Sequence, residues 1–304
     1  MSATAYKIFE IELLGRTFLT PNMARLTFGG EQVAGMRTEA PDQRVKLFFP
    51  RSDGAPSAIP DRPDWYRIYK SAPPAERAPM RTYTIRKLDA DARRLVIDFV
   101  LHGETGPASR WAINAEPGDR LQISAPNRLF DGNSGGFDWD PPADIANVLL
   151  IADETALPAV AGILEQMYDR GNTPATQAFI EVPSEDDRQQ LPDWQGLEVN
   201  WLARNGRADG YGAGMIRSAQ AAVIPETAVT GGDADSGCAD IDSLDVDRDI
   251  LWDRASAAGD QFYGWVAGET AAVSQIRKHF LKDLRIDRKH LTMMGYWRHG
   301  KPHV

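Results

Sequence analysis

The pattern of apolar and polar positions changes character once along the chain, near residue 140. Before that point the apolar runs are short. Tyr6 to Leu13 alternates roughly with period two, and Ala24 to Phe28 does the same until Gly29-Gly30 stops it. Val45 to Phe49 is an apolar run ended by Pro50, and residues 51–80, rich in Pro, Ser and Asp, read as a surface loop. Arg81 to Lys87 and Arg94 to Leu101 read as two strands joined by the polar turn Asp89-Ala90-Asp91. Gly106-Pro107-Ala108-Ser109 reads as a helix start, with Trp111, Ala112 and Ala115 facing inward, and Arg120 to Ser124 as a further strand. Six short strands with one late helix predict a six-stranded antiparallel β-barrel over residues 1–137.

Beyond a Pro- and Asp-rich linker at 138–146, Asn147 to Ala152 is continuously apolar, which marks a strand buried on both faces. Thr155 to Tyr168 has helical periodicity, and further strands are expected at Gln177–Val182, Glu198–Leu202 and Phe262–Ala267. This alternation predicts a parallel-sheet α/β domain over 147–304. An insert near 225–244, rich in Gly, Asp, Ala and Ser, is expected to be mobile.

Composition narrows the class. The 304 residues carry a net charge of −9, which argues against nucleic-acid binding by the whole surface. No apolar run reaches the roughly 18 residues of a membrane span, and the N-terminus lacks a signal-peptide pattern. Cys238 is the single cysteine, so no internal disulfide and no Cys-held cluster or zinc is expected, and the histidines show no metal-ligand spacing. A cytoplasmic monomer that holds no metal is the expectation. The charge is uneven: Asp233 to Asp249 holds seven Asp and one Arg, whereas Arg277 to Lys301 holds eight Lys or Arg against two Asp. Either the basic end serves an anionic partner or these are ordinary charged helix faces.

Four segments could carry chemistry. In Arg81-Thr82-Tyr83-Thr84-Ile85-Arg86, alternation puts Arg81, Tyr83 and Ile85 on one face and Thr82, Thr84 and Arg86 on the other. Arginine forks onto phosphate and tyrosine offers a flat face to an aromatic ring, although a plain exposed strand reads the same way. Asp98-Phe99-Val100-Leu101-His102-Gly103 leads into Gly106-Pro107-Ala108-Ser109, a glycine turn opening a helix whose free N–H groups suit a pyrophosphate. His102 could donate to a phosphate, or be a buried, satisfied histidine. Asp153-Glu154-Thr155 follows the first α/β strand, where a doubly wound fold takes a nucleotide, yet the turn lacks glycines and its two carboxylates oppose a pyrophosphate. Thr155 reads as a helix N-cap. Gly264 to Glu269 repeats the strand–glycine–helix pattern, with Gly268 and Glu269 at the turn. At the C-terminus, Tyr296-Trp297-Arg298-His299-Gly300-Lys301 pairs aromatics with cations, which suits a flat, anionic partner or a frayed last strand.

Taken together, Arg81–Arg86, Asp98–Trp111, Asp153–Ala159, Trp265–Glu269 and Gly295–Gly300 resemble the siderophore-interacting protein family, in order and spacing, over almost the whole chain. The resemblance implies an FAD-binding barrel followed by an α/β reductase domain. It implies a flavin-dependent ferric-siderophore reductase that takes electrons from NADH or NADPH, or from ferredoxin, and releases Fe(II). Carried over by position, Arg81, Thr82, Tyr83 and Thr84 line the isoalloxazine and its phosphate. Asp98, Phe99, Val100 and His102 border the flavin, and Gly106, Pro107, Ala108 and Ser109 meet the pyrophosphate, with Thr155 and Trp297 completing the cofactor set. Lys46, Arg298 and Lys301 would hold the siderophore, and Asp153, Glu154, Gly268 and Glu269 the electron donor. Two rival readings are a general flavin reductase without siderophore specificity and a siderophore-binding protein that never turns over.

Overall fold

The computed structural model describes residues 3–104, 106–207, 210–229, 251–256 and 261–300. The chain divides into two compact units, 1–137 and 138–303.

The first unit is a single curled antiparallel sheet of β1 (Tyr6–Thr20), β2 (Met23–Gly29), β3 (Arg44–Phe48), β4 (Met80–Thr84), β5 (Lys87–Asp89), β6 (Arg94–Val100) and β7 (Arg120–Pro126), in the order β4-β3-β7-β1-β2-β6-β5. The curl begins in β1, whose first half pairs with β7 and whose second half pairs with β2. Register shifts at Leu13/Gly15 and Phe18/Thr20 bend the strand between these neighbours. The two ends of the sheet are consecutive in sequence. Ile85 N–H donates to Gln43 O on the β3 side, and Arg86 N–H donates to Val96 O on the β6 side. The predicted strand 81–87 is therefore broken at Ile85-Arg86, and β4 and β5 are two halves of one segment that runs from one edge of the curled, half-barrel sheet to the other. Alternation fills the interior with Phe9, Ile11, Leu26, Phe28, Leu47, Leu95, Ile97, Phe99 and Ile123, against which α2 (Pro107–Asn114) lays Ala108, Ala112 and Trp111.

Residues 51–80 are not a plain loop. They contain α1 (Trp65–Ser71), and Trp65 and Tyr69, one turn apart, pack with Ile59, Ala78 and Met80 on the outer side of β3 at Phe48. Polar flanks hid this short amphipathic turn.

The second unit holds β8 (Asn147–Ala152), α3 (Leu157–Asp169), β9 (Ala175–Val182), β10 (Leu197–Ala203), α4 (Ala213–Ala221), β11 (Trp252–Asp253), β12 (Phe262–Glu269), α5 (Thr270–Lys278) and β13 (Leu291–Trp297). Sheet order is β10-β9-β8-β12-β13-β11. All pairs are parallel except β11 with β13, an antiparallel edge the sequence pattern did not announce because it is two residues long. β12 is buried along its whole length, the property its unbroken apolar run encodes. Strand order reverses between β8 and β12, so a crevice opens at their carboxyl ends. The stretch 138–146, expected as a linker, packs on this unit at its start: Trp139 meets Tyr263 edge-on at 5.3 Å, and the Tyr263 hydroxyl donates to Asp138 O. Of the expected insert, 225–229 form a short helical turn and a bridge to Ile286. Residues 230–244 lie outside the described residues.

Candidate functional site

In the first unit, β3 and β4 set the geometry. Val45 pairs with Tyr83 and Leu47 with Arg81, whereas Arg44 pairs with Thr84 and Lys46 with Thr82. Cross-strand partners share a face, so Arg81 and Tyr83 lie on the Val45/Leu47 side and Lys46 on the opposite one. The Tyr83 ring sits 4.3 Å from Phe99 and 6.4 Å from Phe49, and burial pushes its phenol pKa up. Arg81 is half-buried and donates from Nη1 to Met80 O at 2.8 Å. Thr84 is buried and Thr82 exposed.

On β6, Phe99 joins the aromatic cluster, while Asp98 faces the other way and is buried. Its carboxylate accepts both Nε and Nη2 of Arg25 at 2.7 Å across the strand pair, with Arg86 at 3.6 Å. That carboxylate is committed to the sheet. Val100 is half-buried. His102 is exposed, contrary to the reading of a buried, satisfied histidine. The Ser109 hydroxyl is spent locally: it donates to Gly103 O at 2.6 Å and accepts the His102 N–H at 3.2 Å, so it ties the 102–109 loop. The first turn of α2 has Gly106 as N-cap, Pro107 after it and no side-chain cap. Backbone N–H groups there have no acceptor within the helix. A side chain on Gly106 would press on His102 at 3.0 Å. An uncapped helix start, a half-buried guanidinium and a cluster of aromatic rings make a donor set that fits FAD. Arg81 and the N–H groups of Ala108 and Ser109 would hold its phosphates, and Tyr83 would face its ring.

Lys46 occupies a cationic patch. Its Nζ is 3.4 Å from Thr82 Oγ1, and burial, then the charges of Arg44 and Lys70, lower its pKa. Lys70 comes from α1, so reading 51–80 as loop missed it. The Trp65/Tyr69 spacing was the available signal.

In the second unit, Asp153 sits at the β8/β12 crevice, 1% exposed. Its Oδ1 accepts Thr155 N–H and Oγ1–H, and its Oδ2 accepts Glu269 N–H at 2.8 Å and the Trp297 indole N–H at 2.7 Å. Gly268 makes this possible, because a Cβ there would fall 2.6 Å from Asp153 Oδ2. Burial, reinforced by the neighbouring Glu154 charge, pushes the Asp153 pKa up to about 7 against the pull of its hydrogen bonds. Thr155 is not the helix cap it was expected to be. The N-cap of α3 is Ala156, and the Thr155 hydroxyl is turned back onto Asp153. Glu269 caps α5, accepting the N–H groups of Ala271 and Ala272, and also accepts His299 N–H. Glu154 is bidentate with Arg204 at 2.7 and 2.6 Å. The sequence reading missed Glu181. It is fully buried on β9, accepts Gly212 and Gly214 N–H at 2.7 Å each, and pairs with Arg204 at 3.1 Å. A lone acid in an apolar strand was the only clue. Burial would lower the Arg204 pKa, but Glu154 and Glu181 raise it well above its usual range.

The basic C-terminal run is partly structural. Arg277 and Arg288 both bind Asp253, and Lys289 pairs with Asp287 at 2.9 Å. Arg298 is half-buried in the second unit, whereas Lys46 belongs to the first. Lys301 lies outside the described residues. Trp297 meets Tyr211 edge-on at 5.0 Å, and Tyr211 packs on His299 at 4.9 Å.

Among the described residues no helix is long and apolar enough to cross a membrane. Residues 12–130 match the model of the siderophore-interacting FAD-binding domain, and residues 145–300 that of the siderophore-interacting protein. The ferric vibriobactin reductase of Vibrio cholerae is 25% identical over 96% of this chain and 89% of its own. An NADPH-dependent ferric-chelate reductase of Escherichia coli is 29% identical over 66% of this chain and 72% of its own. The crystal structure of a siderophore utilization protein from T. fusca superposes with a TM-score of 0.72 and 31% identity, covering 99% of this chain and 96% of that one.

Proposed function

Because the chain belongs to the siderophore-interacting protein family, we propose that it is a cytoplasmic, monomeric ferric-siderophore reductase driven by a reduced pyridine nucleotide. The observation that carries the reading is the uncapped start of α2 in a unit that also offers Arg81 and an aromatic cluster around Tyr83. FAD, when bound, supplies the redox chemistry that links a two-electron donor to one-electron acceptance by iron. The residues of this chain do the rest. Arg81 and the α2 N–H groups hold phosphates, and Tyr83, walled by Phe99 and Phe49, orients the ring. Lys46, with Arg44 and Lys70 beside it, attracts an anionic ferric chelate despite the net charge of −9, because charge within a Debye length of about 8 Å dominates. No general base is required, so substitutions act on binding and cofactor retention. Arg298 of the second unit and Lys301 are further candidate cations for the anionic chelate.

The test is anaerobic stopped-flow reduction of the purified yellow protein by NADPH, NADH and reduced ferredoxin in turn, followed by mixing with a ferric catecholate siderophore and a ferrous trap. Reduction by a pyridine nucleotide and rapid reoxidation by the ferric chelate are expected. Slow reoxidation by the chelate but fast reoxidation by free flavin would make the chain a general flavin reductase. A colourless protein that binds the siderophore would make it a carrier.

A further inference from the structure

In β1 the inward positions step by two through Phe9, Ile11 and Leu13, and then the register shifts. Leu13 pairs with Phe28 and Arg16 with Leu26, so β1 spends three residues where β2 spends two. The extra residue, Leu14, is exposed. A bulge of this kind re-aims the side chains that follow it. Cross-strand partners share a face, so Arg16 lies on the side of Leu26, toward the interior of the curled sheet. With an unbroken register Gly15 would take that place and Arg16 would point outward.

Arg16 meets the C-terminal end of α2 there. Its Nη1 donates to the carbonyl oxygens of Ala112, Ile113 and Ala115 at 2.7, 2.6 and 3.1 Å. The last carbonyls of a helix have no partner within it. The chain leaves α2 extended at Ala115, and Pro117 follows, so the backbone does not fold back to cap them. The guanidinium supplies the missing donors and places a positive charge at the negative end of the helix dipole. Trp111, in the same half of α2, stacks on Phe28 with ring centroids 6.1 Å apart.

α2 has eight residues, below the roughly 12–15 at which an isolated helix becomes stable in water. Its position is therefore set by what holds it. Its other end carries the N–H groups of Ala108 and Ser109. At about 1.5 Å per residue the helix is roughly 12 Å long, so a shift at one end is carried to the other. We infer that Arg16 is a positioning residue for FAD. By tying the C-terminal end of α2 to β1, it sets the N–H groups at the opposite end before the cofactor arrives. Donors fixed in advance bind more tightly than donors that must be ordered on binding. The inference rests on the reading that the start of α2 holds the FAD phosphates.

The experiment titrates the full chain, stripped of flavin, with FAD and with riboflavin, which has the same ring and no phosphate. Flavin fluorescence reports binding. The wild type is expected to bind FAD far more tightly than riboflavin. Arg16→Gln should weaken FAD by about tenfold and change riboflavin by less than about twofold. All three hydrogen bonds come from one nitrogen, so the three-donor ammonium of Arg16→Lys should restore part of the FAD affinity. If Arg16→Gln does not fold, Arg16→Lys decides alone, by a smaller loss for FAD and none for riboflavin. Unchanged FAD affinity, or an equal loss for both flavins, would overturn the positioning role and leave the phosphate reading of α2 intact. Equal wild-type affinity for FAD and riboflavin would overturn that reading and the inference together.

Discussion

The start of α2 in the first unit and the starts of α4 and α5 in the second are treated in opposite ways. In the first unit α2 begins at Gly106 with no side-chain cap, and the one nearby hydroxyl, that of Ser109, is spent on its own loop. In the second unit the starts of α4 and α5 are filled by carboxylates of the chain, Glu181 on one and Glu269 on the other, with Asp153 beside the latter. A helix start carries about half a positive charge and several unsatisfied N–H groups. Left uncapped, it keeps N–H donors and positive charge that favour an anion. Satisfied from within, it becomes part of the core. The same local geometry therefore leaves N–H donors open in one unit and satisfies them from within in the other.

The comparison breaks most sharply at Glu181. Glu181→Ala removes a buried acceptor of backbone N–H groups and a partner of Arg204. Loss of one partner of a buried pair costs about 3–5 kcal/mol. Chemical denaturation followed by tryptophan fluorescence should show that loss in the second unit, while FAD affinity changes little. Equal loss of both would mean that the units do not differ as argued.

Asp153 gives a pH signature that belongs to the second unit alone. Its folded pKa, about 7, lies above the 3.8 of an ordinary aspartate. Between those values the folded state holds a proton that the unfolded state has released. This contribution to stability is thus fully present below about pH 4 and is lost as pH rises toward 7. The slope from one such group approaches 1.4 kcal/mol per pH unit at most. Urea midpoints from pH 4 to 7 should fall for the wild type and flatten in Asp153→Asn, and Trp297 fluorescence should report the same transition. A wild-type midpoint that rises across that range would contradict the assignment.

The first unit is tested at Arg81. Arg81→Ala removes a charge-assisted hydrogen bond worth roughly 1.5–3 kcal/mol, so FAD affinity should fall about ten- to a hundredfold while the denaturation midpoint of the flavin-free protein moves little. Unchanged FAD affinity would remove β4 from the cofactor site.

The smallest expected effect is at the half-buried cations. Lys46→Ala with Arg298→Ala should raise the KM for an anionic ferric chelate by about two- to tenfold at low salt and less at high salt, since partly exposed charges are screened. Steady-state ferric reduction with a ferrous trap reads this out. The same KM as wild type at both ionic strengths would favour the flavin reductase that lacks siderophore specificity.

The sequence by itself determined the change from period-two strands to a buried α/β sheet, the strands around Tyr6, Arg94, Asn147 and Phe262, and the glycine-opened start of α2. Each of these is a local pattern in which burial follows directly from spacing along the chain. It also carried the family motifs and the opposition of Asp153 and Glu154 to a pyrophosphate. Only the tertiary structure decided where polar groups spend their hydrogen bonds. Asp98 goes to Arg25 across two strands, the Thr155 hydroxyl turns back to Asp153, and Glu181 reaches the start of a helix more than 30 residues later. The break at Ile85-Arg86 and the helix hidden in 51–80 were likewise settled by partners distant in sequence: Gln43 and Val96 for the one, Phe48 for the other. A side chain's type states what it can bond, but a buried polar group must be satisfied by whatever the folded chain brings within about 3 Å, and spacing along the sequence does not encode that neighbour.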